Sequence, residues 1–267
     1  MIPSHENDKN ITEIVIDGDF PPSCFKDCTN LKNAVIKQGI KTISDFSFRS
    51  SGIKTITLPE GLETIGKYAF ENCCNLEEIY LPDSLKTLDE GAFYGCRNLK
   101  EIHNIKNVQT IEAGAFCGCI SLKSIALNDG IETLKDYTFA GCQGLQTAEL
   151  PSGLKEIRKH CFRFCENLKE INLPESIRFI DTFAFCGCSC LINVTIPEGT
   201  ESIGSYAFED CLKMQTIVLP RTLKHIGKRV FWGCDSLKEA VFQSAITSYD
   251  HAPLFDINNT LLKITYK

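Results

Sequence analysis

A chain of 267 residues with 43% hydrophobic side chains is long enough for one large domain or two ordinary ones. Its 34 acidic against 28 basic residues give a net charge of −6, which argues against a nucleic-acid backbone as ligand, because a polyanion is held by clustered Lys and Arg that release its counterions. Fifteen cysteines, an odd number with no C-x-x-C pair, exclude a closed disulfide framework and a zinc ribbon, so the thiols are read as reduced.

The first ten residues, M-I-P-S-H-E-N-D-K-N, have no apolar core of signal-peptide length, and no later run approaches a membrane span. As written, the chain is expected to be cytoplasmic, without membrane insertion. Residues 11–30, with Pro21-Pro22 and irregular spacing, read as a truncated unit that starts at Ile11, rejoins a register at Phe25 and Cys28, and caps the N-terminus. A unit starting at Leu31 is one residue short and has Ser51 where later units have cysteine. Eight full units of 23 residues follow without insertion, starting at Ile53, Leu76, Leu99, Leu122, Leu145, Leu168, Leu191 and Met214, and a last unit starts at Leu237. After Tyr249 the register disappears, and L-F-D-I-N-N-T-L-L-K-I-T-Y reads as a closing hairpin turning at Asn258-Asn259. The expected division is an N-terminal segment and capping repeat over 1–30, a repeat array over 31–249 and a C-terminal cap over 250–267.

Within a unit, numbered from its first residue, positions 4 and 6 are aliphatic, as in Ile79 and Leu81, and proline often follows at position 7. This predicts a short strand of period 2 ended by a residue that cannot donate to a ladder. Positions 8 and 9, such as Glu60-Gly61, are turn chemistry. Positions 10 and 13 turn inward again, with threonine at position 12 (Thr42, Thr64, Thr87, Thr110, Thr133) suited to a second stacked row. Alanine at 17, phenylalanine at 18, cysteine at 21 and the next unit's leucine fall at i, i+1, i+4 and i+7. That spacing predicts a helical turn, ended by glycine at position 20 in a left-handed conformation. No unit can bury its apolar face alone, so units must stack with like residues over like. Phe25, Phe48, Phe70, Phe93, Phe116, Phe139, Phe162, Phe185, Phe208 and Phe231 then form one aromatic spine.

The unit L-x-x-I-x-L-P-x-x-L-x-x-I-x-x-x-A-F-x-x-C-x-x resembles the repeat of BspA-like leucine-rich repeat proteins over residues 31 to about 249. The resemblance implies an α/β solenoid: a right-handed superhelix of about eleven coils, a parallel β-sheet on its concave face and short helical turns opposite. It also implies a noncatalytic binding or adhesion role without cofactors, and offers the cell surface of an anaerobe or protist as the alternative location. The rival function is a structural spacer or adhesin fragment of a larger surface protein.

Candidate chemistry is sparse. Cys28 and the eight cysteines from Cys73 to Cys234 that occupy position 21, with Cys161 at position 17, read as buried packing residues. Cys24, Cys74, Cys117, Cys186 and Cys190 fall outside the inward positions and are expected to be surface thiols, the Cys186-Gly-Cys188-Ser-Cys190 cluster included. On the outward face of the strands, Glu78 and Tyr80 fall beside Glu101 and His103, a two-by-two grid of carboxylate, phenol, carboxylate and imidazole. Such a grid could serve acid–base chemistry or hold a divalent metal, but glutamate recurs at position 3 as a repeat habit (Glu13, Glu170, Glu239). The reading taken is a contact surface for a protein partner, with no catalytic residue and no metal. Lysine at position 2 and acidic residues at position 8 predict one basic and one acidic rim. No phosphate-cradling glycine loop, H-E-x-x-H or nucleophile elbow occurs. The chain is expected to act as a monomer.

Overall fold

The computed structural model describes residues 10–18, 21–243, 248–249, 255 and 262–266, and they form a parallel-strand β-solenoid of about ten turns. Each turn contributes up to two strands. The first row uses positions 3 to 5, as in Glu78–Tyr80 and Glu101–His103, and the second uses positions 12 and 13, as in Thr64–Ile65 and Thr87–Leu88. Every pairing between strands is parallel, with like position on like: Thr64 lies against Thr87 and Ile65 against Leu88. Ten second-row strands run from Thr42–Ile43 to Ser248–Tyr249. Ten turns, not the expected eleven, are counted on this row among the described residues. The unit at Ile11 supplies a first-row strand, Glu13–Ile16, only 20 residues ahead of its partner (Glu13 against Asn33), and no second-row strand among the described residues.

Among the described residues the helical turns expected opposite the first row are absent. The only helix among the described residues is a single 3-10 turn, Ile105–Asn107. The hydrogen bonds explain why. Between positions 15 and 21 every second N–H leaves its own coil: Tyr68, Phe70 and Asn72 donate to the carbonyls of Glu90, Ala92 and Tyr94 at 2.8, 2.8 and 2.7 Å. The alternate N–H groups of Ala69, Glu71 and Cys73 close i→i+3 turns onto Gly66, Tyr68 and Phe70. An α-helix would keep all of these donors inside the coil. Two left-handed residues per coil also forbid it: Tyr68 and Asn72 stand at φ 52° and 56°, and their counterparts Gly91 and Gly95 at 60° and 69°. The i, i+4 spacing of the apolar residues thus reflects successive β-turns, which return the chain to the same face after four residues just as a helix does.

Ten spine phenylalanines are stacked at centroid separations of 5.2 to 5.9 Å, and all are buried. Phe255 extends the stack, 5.3 Å from Phe231. Among the described C-terminal residues the expected antiparallel hairpin is not seen. Lys263–Tyr266 pairs in parallel with Glu239–Phe242, Lys263 against Glu239, and Phe255 bridges Phe231 in parallel, so the stacking continues by another step. The proposed turn at Asn258-Asn259 lies outside the described residues. A spacing of 24 rather than 23 residues hides this step from a search at fixed period.

All fifteen cysteines are free. In each coil from Cys73 to Cys234 the position-21 thiol donates to the carbonyl of the previous coil's spine phenylalanine, for example Cys96 to Phe70 at 3.0 Å and Cys142 to Phe116 at 3.1 Å. Each of these carbonyls also accepts the turn N–H of its own coil, as Phe70 does from Cys73 at 3.1 Å, so the thiol adds a second, weak donor while it packs as a small hydrophobe. Burial holds the protons in place, pushing the thiols of Cys96, Cys119, Cys142, Cys165, Cys188 and Cys211 well above the usual range. Two of the five cysteines expected on the surface are buried. Cys24 directly precedes Phe25 and therefore fills the alanine position of its coil, where burial pushes its thiol to about 12. Cys186 is a short side chain flanked in the stack by the longer Arg163 and Glu209, and its Sγ lies 3.6 Å from the Glu209 carboxylate. Cys74 is exposed, and Cys117 and Cys190 are half-buried.

Candidate binding face on the first strand row

Strands Glu78–Tyr80 and Glu101–His103 pair in register, Glu78 against Glu101, Ile79 against Ile102 and Tyr80 against His103. Alternation sends Ile79 into the core, where it is buried, and turns both flanking residues outward. All four side chains singled out in the sequence therefore meet. The rings of Tyr80 and His103 stack at 4.1 Å with 15° between their planes. His103 Nε2 lies 3.4 Å from Glu78 Oε2 and 3.6 Å from Glu101 Oε2, and Tyr80 Oη donates to Glu78 Oε2 at 3.3 Å. The Glu78 carboxylate holds the Tyr80 phenol above its usual range, so the phenol stays a donor. Tyr80 is 59% exposed, the most exposed large hydrophobic side chain of the described residues.

The chain beyond His103 anchors this pair. Asn104 takes the place of the usual aliphatic residue at position 6, stands at φ 62° and donates through Nδ2 to the Leu81 carbonyl at 3.0 Å. Asn107 Nδ2 donates to Asp83 at 2.8 Å. This coil turns through the 3-10 segment Ile105–Asn107, with Ile105 where many units have proline, and the two strands form a separate two-stranded piece of the first row. The departure is visible in the sequence as N-I-K-N where its neighbour has L-P-D-S. Lysines at position 2 and acids at position 8 are exposed, Lys54, Lys100, Glu60 and Asp83 among them.

A second, partly exposed feature lies on the turn side. Position-16 rings stack along the solenoid in two runs, Phe46 on Tyr68 at 5.6 Å, then Tyr137, His160, Phe183 and Tyr206 at 4.5, 4.9 and 4.6 Å. Gly91 and Gly114 separate them, and a Cβ on Gly91 would strike the Tyr68 ring. The Arg163 guanidinium sits over both Phe164 and Phe183. Desolvation, then the charge of Arg163, lowers the His160 pKa. Tyr68, Tyr137, Phe183 and Tyr206 are legible in the sequence as a group at position 16, and counting two residues back from Phe48 and Phe162 adds Phe46 and His160.

Neither face is enclosed, so both suit recognition of a surface better than water-excluded chemistry. No helix among the described residues is long and apolar enough to cross a membrane.

No curated protein sequence matches the chain. Among solved structures it is similar to a leucine-rich repeat protein from Bacteroides ovatus, with 25% identity over 98% of this chain and 76% of that one and a TM-score of 0.57. It is also similar to the T. pallidum leucine rich repeat protein, with 29% identity over 65% of this chain and 72% of that one and a TM-score of 0.51. The pneumococcal vaccine antigen PcpA shares the fold at 23% identity over 89% of this chain and 69% of that one, with a TM-score of 0.54. The BspA type leucine rich repeat region matches in six copies, over residues 18–146, 87–189 and 155–266. With its 23-residue register, spine and parallel strand rows, the chain belongs to the BspA-type leucine-rich repeat family.

Proposed function

We propose that this chain is a noncatalytic binding module that presents the outward first-row face to a protein partner, centred on Glu78, Tyr80, Glu101 and His103. The observation that carries the reading is the stacked Tyr80–His103 pair, with Tyr80 exposed and His103 half-buried, held on paired strands beside two carboxylates. An amphipathic aromatic that is already ordered loses little freedom on binding, which is how interface hot spots concentrate energy. The right-handed superhelical path, with this face on its concave side, belongs to the same proposal, as does the cell-surface adhesion role that the family resemblance implies.

A bait carrying Tyr80→Ala and His103→Ala tests it, compared with the parent and with Trp232→Ala in a quantified pull-down followed by interferometry on the captured protein. The double substitution is expected to weaken binding by roughly 2 kcal/mol or more with folding unchanged. Retained binding by the double variant, with loss in Trp232→Ala, moves the contact to the turn side. The stacked run from Tyr137 to Tyr206 favours that side as the second reading. A spacer without a partner would capture nothing that either variant changes.

A further inference from the structure

Glu78 and Glu101 stand directly opposite each other on neighbouring strands, an arrangement that like charges disfavour. Elsewhere the solenoid answers a stacked carboxylate with lysine: Lys100 on Glu77 at 2.6 Å, Lys155 on Glu132 at 2.8 Å, Lys224 on Glu201 at 2.7 Å. Among the described residues, Glu78 and Glu101 have no Lys or Arg within ion-pair distance, and both turn to the one imidazole of the grid. One ligand atom from each of Glu78, Glu101 and His103 lies within 4.8 Å of the others.

The spacing has chemical meaning. Around a tetrahedral cation with bonds of about 2.0–2.2 Å, ligand atoms stand roughly 3.3–3.6 Å apart. Nε2 of His103 is 3.4 and 3.6 Å from the two carboxylate oxygens, so small carboxylate rotations would complete the triangle. Stacking on Tyr80 fixes the imidazole plane, and Tyr80 Oη donates to the same Glu78 oxygen that would ligate. Orientation of first ligands by such outer contacts is what raises affinity at metal sites. We propose that Glu78, Glu101 and His103 form an open three-ligand site for a divalent cation of zinc type, water taking the fourth position. The site uses residues of the proposed contact face but needs no partner, so it is measured on the isolated chain, and its failure would leave the partner reading standing.

The experiment is a calorimetric titration of Zn²⁺ into the reduced, chelator-stripped protein, with Co²⁺ as a spectroscopic substitute. One ion per chain is expected, with a Co²⁺ spectrum of nitrogen and oxygen ligation and no thiolate charge-transfer band. Affinity should fall at least about tenfold in His103→Ala and in Glu78→Gln, and be unchanged in Glu170→Gln, an exposed glutamate at the same strand position. All three substitutions are on exposed or half-exposed side chains, and far-UV circular dichroism checks that the fold is kept. A thiolate band, which would place the ion on Cys74, Cys117 or Cys190, overturns the proposal. So does equal affinity in His103→Ala, or no heat up to millimolar Zn²⁺.

Discussion

Raising the pH should unfold this protein with unusual steepness, because its interior is lined with thiols that must stay protonated. Seven cysteines, Cys96, Cys119, Cys142, Cys161, Cys165, Cys188 and Cys211, have no solvent-exposed surface, and burial raises each above the ordinary thiol value of 9.0. A group whose folded pKa lies above its unfolded pKa contributes stability that is fully present below the unfolded value. That contribution is lost as pH rises through the folded one, since only the unfolded chain releases the proton. The window therefore opens near pH 9 and extends through the alkaline range. Each thiol contributes a loss of about 0.4 kcal/mol at pH 9 and about 1.4 kcal/mol at pH 10, or roughly 10 kcal/mol for the seven at pH 10. Domains of this kind are stable by about 5–15 kcal/mol, so cooperative unfolding is expected between about pH 9.5 and 10.5. Urea melts followed by far-UV circular dichroism and by the single tryptophan, Trp232, at half-unit steps from pH 7.5 to 10 under anaerobic reducing conditions give the slope. Cys142→Ala with Cys165→Ala removes two of the seven sites and should lower that slope by about a quarter, whatever it does to stability at pH 7. A slope below about 3 kcal/mol per pH unit, or one identical in the double variant, would refute the argument that these thiols are buried and neutral.

Phe139→Ala should destabilise by roughly 3–5 kcal/mol, because its ring stacks on Phe116 and Phe162 with no exposed surface, while Lys123→Ala should change thermal stability by less than about 0.5 kcal/mol. Timed alkylation with mass spectrometry should label Cys74 first, with Cys117 and Cys190 next, and leave Cys24 and Cys186 protected with the position-21 set; early labelling of Cys186 would contradict its burial. Gly118→Ala should destabilise by about 1–2 kcal/mol through its φ of 75° alone, since a Cβ there meets only ordinary contacts at 3.5 Å; a neutral result would mean the turn can relax.

The sequence by itself determined the solenoid, because a unit that cannot bury its own apolar face has one solution, stacking, and an uninterrupted 23-residue period admits one register. That register already placed Phe139 on Phe116, Glu78 beside Glu101 and Tyr80 beside His103. Tertiary structure decided what spacing cannot express. Positions 17, 18 and 21 sit on one face in a helix and in successive β-turns alike; the choice was made by Tyr68, Phe70 and Asn72 donating to the next coil, a partner that local periodicity does not see. Cys186 looked exposed by position and is buried, with its Sγ 3.6 Å from the carboxylate of Glu209 in the coil 23 residues on, a neighbour that local spacing does not show. Lys263–Tyr266 looked like a hairpin arm, yet an open strand edge at Glu239–Phe242 offered unpaired donors and acceptors that a parallel strand could satisfy. The distances that turn two glutamates and a histidine into a candidate cation site exist only once strands about 4.8 Å apart and a ring stacked on Tyr80 bring three flexible side chains to one point.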